Sequence, residues 1–168
     1  MIDRTVWRND VGKFFEVWRS GDSICIGDGW RDIVCDLVDA LIERLEPGKW
    51  HLLQIKEKFG TLRFYYQLDN AVGEETAQIV DKLVQVAEGK SSETCETCGK
   101  PGSERDNHRW IKTLCDVCHE QRERLCRICN KPNLRIGCTC LRKVCDECAK
   151  EYQHVCSAVE DGLDGVNA

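Results

Sequence analysis

The chain has 168 residues, 42% of them hydrophobic, which suits one globular domain or two small ones. Its formal charge of −5 leaves it without the global basic footprint of most nucleic-acid binders, although local basic patches remain compatible with it. No stretch approaches the roughly 18 apolar residues that span a bilayer. Residues 1–10 also lack the apolar core of a secretory leader, so the expected compartment is the cytoplasm, where thiols stay reduced.

Residues 1–20 carry Val11, Phe14, Phe15 and Trp18 at helical spacing and predict a short first helix. From Trp30 to Leu45 the apolar residues Trp30, Ile33, Val34, Leu37, Val38, Leu41 and Leu45 recur at steps of three and four, an amphipathic helix. Asp28 is placed to cap it, and Pro47-Gly48 to end it. Asp36 and Asp39 read as solvated charges on its outer face, as do Glu74 and Glu75 further on.

The period then changes. Leu53 and Ile55 alternate with Gln54 and Lys56, and after Phe59-Gly60 so do Leu62, Phe64, Tyr66 and Leu68 with Arg63, Tyr65 and Gln67. This predicts a β-hairpin over 51–68, turning at Gly60, with one buried face. Its other face would gather Lys56, Lys58, Arg63, Tyr65 and Gln67, a mixture able to stack bases and touch phosphates or simply to stay solvated. Residues 73–89 return to helix, with Ile79, Val80, Leu83, Val84 and Ala87 as the buried stripe.

Thirteen cysteines are present, and eleven of them lie between Cys95 and Cys156. Cys25 and Cys35 stand apart and read as buried apolar residues or inert thiols. Cys95-x-x-Cys98 and Cys115-x-x-Cys118, sixteen residues apart, are the two knuckles of a four-cysteine zinc site, with Gly99 suited to the tight turn after the first. A strand over 109–114 and a helix over 119–125 would make it a zinc ribbon or treble clef.

From Cys126 onward the pairs are Cys126 and Cys129, Cys138 and Cys140, Cys145 and Cys148, then His154 and Cys156. Eight ligands in about thirty residues make two more sites, and so short a segment depends on metal for its folding. Cross-brace wiring is favoured over wiring of adjacent pairs, and both remain open. Eleven cysteines and His154 supply the twelve ligands of three tetrahedral zinc ions. Counting bound cysteines as thiolates takes the charge balance to about −10.

Two resemblances add to this reading. Gly29-Trp30, the run from Gln54 to Tyr65, Ala87-Glu88 and Ser91, continuing into Cys95–Cys118, resembles small phage and prophage proteins of uncharacterised activity. The spacing from Cys126 to Cys156 resembles the AN-one type zinc finger, a cross-braced protein-binding module, although Cys148 stands where that family has histidine. The second resemblance implies one ion on Cys126, Cys129, Cys145 and Cys148 and another on Cys138, Cys140, His154 and Cys156.

The expected architecture is α+β. A helix–hairpin–helix domain over 1–92 precedes a four-cysteine ribbon or treble clef over 93–125. A binuclear cross-brace finger over 126–157 and a loose tail over 158–168 follow. Zinc sites closed by four protein ligands leave no position for water, and no phosphate loop, nucleophile elbow or H-E-x-x-H motif is present. The expected function is a non-catalytic zinc adaptor for a protein partner, in a phage setting a host or defence protein. The first alternative is nucleic-acid binding, through Lys56, Lys58, Arg63 and Tyr65 with Arg105, Arg109, Lys112, Arg122, Arg124, Arg127, Arg135, Arg142 and Lys143. The second is a degenerate HNH-type nuclease using Asp106, Asn107, His108 or His119, suggested by the resemblance of Leu114–His119 to the closing segment of those enzymes.

Overall fold

A short helix, α1 (Trp7–Gly12), opens the fold and buries Trp7 and Val11. The computed structural model describes residues 1–15, 23–106 and 111–123. The chain divides into two units, Met1–Cys118 and His119–Ala168. Of the second unit only 119–123 is described, so Trp18, the eight predicted ligands from Cys126 to Cys156 and the predicted tail fall outside the described residues.

The first unit is a mixed α+β structure. Strand β1 (Ile24–Cys25) is followed by a 3-10 turn (Asp28–Trp30) and helix α2 (Arg31–Ile42). Then come β2 (Trp50–Lys58), β3 (Thr61–Leu68) and helix α3 (Glu74–Ser91). Strands β2 and β3 are antiparallel, and β1 adds to β2 in parallel with Ile24 opposite Ile55. The two-residue strand β1 was not legible from its sequence. The hairpin turns through Phe59 and Gly60 at φ of 54° and 75°, the paired positive values of a two-residue type I′ turn.

The sheet's buried face carries Trp50, Leu52, Ile55, Leu62 and Phe64 against α2 and α3. Helix α2 contributes Val34, Leu37, Val38 and Leu41, and Trp30 before it is fully buried. Four expectations are corrected here. The register slips between Leu52 and Gln54, a bulge that turns Leu53 outward (52% exposed) and buries Leu52 in its place. Ile79 is exposed, because α3 turns Val80, Val84 and Ala87 toward the core, with Leu83 partly buried beside them. Asp28 makes no cap but pairs with Arg8 at 2.9 Å, and Asp39 is not solvated but accepts the Ile2 amide and an Arg4 guanidinium nitrogen.

Side chains take up part of each sheet edge. On β3 the Leu62 amide donates to Ser91 Oγ at 2.8 Å and the Phe64 amide to Glu88 Oε1 at 3.1 Å, both from α3. On β1 the Arg8 guanidinium donates to the Ile24 and Ile26 carbonyls. Unpaired strand edges invite pairing with other chains, and these contacts block part of each. No helix of the described residues is long and apolar enough to cross a membrane.

After α3 the chain forms a cysteine turn and then a second hairpin, β4 (Ser103–Asp106) and β5 (Ile111–Leu114). Helix α4 (Asp116–Glu123) follows, starting three residues earlier than its sequence period suggests.

Candidate metal centre

Cys95 and Cys98 flank a tight turn. The Cys95 amide donates to the Lys100 carbonyl at 2.8 Å, the Gly99 amide to the Cys95 carbonyl at 2.9 Å, and Gly99 takes a φ of 76° that only glycine adopts readily. Cys115 and Cys118 straddle the start of α4, where unpaired backbone amides concentrate positive potential. The Cys115 sulfur accepts the Cys118 amide, and the Cys98 sulfur accepts the Lys100 amide. Such N–H···S contacts stabilise thiolates.

The four sulfurs lie within 4.8 Å of one another, and Cys98 Sγ and Cys115 Sγ are 3.6 Å apart. The group could hold a metal ion. Zn–S bonds of about 2.3 Å place the sulfurs of a regular tetrahedron about 3.8 Å apart, close to the 3.6 Å between Cys98 Sγ and Cys115 Sγ. The thiols do not ionise alike. Burial and then the Cys98, Cys115 and Cys95 sulfurs push the Cys118 thiol up, whereas the Cys118 amide and the neighbouring sulfurs draw Cys115 down to about 7. Cys95 and Cys118 pack with Leu114 in a small buried cluster.

The centre is seated on the helix–hairpin–helix segment by contacts the sequence did not announce. The Gly29 amide donates to the Glu96 carbonyl at 2.8 Å, the Gly27 amide to Glu96 Oε1 at 3.1 Å, and Trp30 Nε1 to the Thr94 carbonyl at 2.7 Å. At Gly27 and Gly29 the two backbones touch. A methyl group on Gly29 would overlap the Cys95 carbonyl oxygen and lie 2.6 Å from both Glu96 O and Gly99 N. Gly29→Ala is expected to lower stability by about 3 kcal/mol, because the neighbours are backbone and cannot yield. Gly89→Ala on open α3 should raise it by about 1 kcal/mol. Urea denaturation of the two variants checks both values, and equal midpoints would refute the close approach.

A second tie runs to the first hairpin. Thr113 Oγ1 donates to the Gly60 carbonyl at 2.7 Å. Lys112 Nζ lies 3.0 Å from Glu57 Oε2 and 2.6 Å from Glu96 Oε2. The side chains are almost fully buried, at 15% exposure for Lys112, 4% for Glu57 and 8% for Glu96. Each carboxylate uses its other oxygen on a backbone amide, Gly60 for Glu57 and Gly27 for Glu96.

Lys112 therefore leaves the set of candidate surface cations, and so does Arg105, which pairs with Asp116. Cys35 is buried as expected, and burial pushes its thiol up to about 11, whereas Cys25 is exposed rather than buried. Asp106 ends β4, Asn107 and His108 fall outside the described residues, and His119 stands in α4, its Nδ1 buried without a hydrogen-bond partner among the described residues. The missed contributors are Gly27, Gly29, Glu57, Glu96 and Thr113. The Gly-x-Gly-Trp run ahead of α2 is the one sequence signal that pointed to a close backbone approach.

No family model matches the chain, and no curated protein or solved structure matches it.

Proposed function

We propose that the chain is a non-catalytic zinc-binding adaptor of the reducing cytoplasm. The observation that carries this reading is the four-cysteine group, with every sulfur within 4.8 Å of the others. Four thiolates close a tetrahedral zinc and leave no position for water, the arrangement of structural rather than catalytic sites. A divalent cation also offsets the repulsion of four thiolates held together. The order of knuckle, hairpin and helix, with the second cysteine pair at the helix start, is that of a treble clef. In this reading the centre and its two ties hold a rigid surface for a protein partner. The phage resemblance would make that partner a host or defence protein. The eight C-terminal ligands add two zinc ions in the cross-braced pairing.

Metal analysis of full-length protein purified under reducing conditions tests the metal content. Three zinc ions per chain are expected. One ion would confine zinc to Cys95, Cys98, Cys115 and Cys118, and none would remove the zinc reading. Cobalt substitution should produce the thiolate-to-cobalt and tetrahedral ligand-field bands of four-sulfur coordination. Affinity capture from nuclease-treated lysate tests the adaptor role. A discrete protein bound by wild type and lost with Cys118→Ser supports it, and failure to retain any protein counts against it.

A further inference from the structure

We infer that the open face of the β1–β2–β3 sheet is a binding site for single-stranded nucleic acid, separate from the metal centre. Register defines the face. His51 stands opposite Gln67, Gln54 opposite Tyr65, Lys56 opposite Arg63 and Lys58 opposite Thr61. No acid occupies any of these positions, in a chain whose overall charge is −5. Lys56 and Arg63 sit directly across from each other, and like charges so placed destabilise a sheet. None of the three cations has an ion-pair partner among the described residues, whereas Lys49, Lys112, Arg4 and Arg8 all do. An anion laid along the face removes that repulsion.

The aromatic groups determine which anion fits. Tyr65 is 41% exposed with the Lys56 ammonium 5.1 Å from its ring centre, and Phe59 at the hairpin tip is 65% exposed with Lys58 at 5.3 Å. Rings beside cations are what a base and its phosphate require. Alternate residues on a strand advance about 6.8 Å, comparable with the reach of one nucleotide, so Arg63 and Tyr65 can serve neighbouring units. An acidic peptide added as a further strand would need a free sheet edge. Ser91 and Glu88 take the Leu62 and Phe64 amides of one edge, and Arg8 takes the Ile24 and Ile26 carbonyls of the other. The face is left for a ligand read by charge and stacking.

The test is fluorescence anisotropy of full-length, zinc-loaded protein with labelled oligothymidylate and oligouridylate of about 12 nucleotides, within the span of single-strand sites on comparable sheets. Binding is expected, and about three phosphate contacts should give a log–log salt slope near −2. Tyr65→Ala should weaken it roughly 5- to 150-fold, the loss of one stacked base, while Tyr65→Phe keeps it. Lys56→Glu with Arg63→Glu should abolish it. Lys56→Gln should weaken binding yet raise the melting temperature, because it relieves the pair opposite Arg63, a result that a merely structural lysine would not produce. The proposal is overturned by absence of binding, by binding that these variants leave unchanged, or by equal binding of polyglutamate or anionic phosphatidylserine vesicles. Zinc content measured on each variant separates failure of this face from failure of the metal centre.

Discussion

Replacing Cys118 with serine is expected to remove one metal ion per chain and to loosen the whole segment from Thr94 to the start of α4. Cys118 is both one of the four converging sulfurs and a member of the buried cluster with Cys95 and Leu114. Structural zinc supplies about 10–16 kcal/mol in isolated fingers. Here part of the segment's order comes from its contacts with Gly29, Trp30 and Gly60, so the loss in this chain should be smaller, several kcal/mol on that scale. Metal analysis and limited proteolysis between residues 93 and 123 read the two effects, with exposed Cys25→Ser as the control that keeps both. A Cys118→Ser protein with its full metal complement would show that this cysteine is not a ligand.

Lys112→Met should be the most damaging substitution away from the sulfurs, at about 3–5 kcal/mol. The lysine stands between Glu57 and Glu96, and its removal leaves two buried carboxylates facing one another without a cation. The methionine fills the space of the alkyl stem, so the loss reports charge rather than volume. Adding Glu57→Gln to Lys112→Met should recover part of the stability, whereas Glu57→Gln alone should cost some. A double-mutant cycle by urea denaturation measures this, and strictly additive effects would mean that the lysine and the glutamate do not interact.

Periodicity carried most of the helix–hairpin–helix segment, because its elements bury one face each. The stripe of α2 and the Leu62, Phe64 alternation of β3 stand where the pattern placed them. It failed at Leu53, where one extra residue in β2 inverts the phase, and at Ile79, since a stripe read from sequence cannot tell which side of α3 meets a partner. Strand β1 has two residues, too few for any period. The first cysteine group was legible because C-x-x-C pairs have local geometry. Its seat was not, because Gly29 and Glu96 meet across 67 positions and nothing in either neighbourhood names the other. Lys112 shows the same limit from the other side. It reads as one more surface cation until the hairpin tip and the cysteine turn close around it.

The close fit of Gly27 and Gly29 against the cysteine turn also bears on the order of events during synthesis. The ribosome releases the N-terminal residue first, so the receiving surface around Trp30 emerges well before Cys95 does. A fragment ending at residue 92 would present that surface with the Trp30 indole N–H lacking the Thr94 carbonyl and the Glu57 carboxylate lacking the Lys112 ammonium that neutralises it in the whole chain. During translation such an intermediate waits only until the next thirty or so residues arrive. In an expression vector cut at the same place it would never be resolved, and the fragment should aggregate where the intact chain stays dispersed.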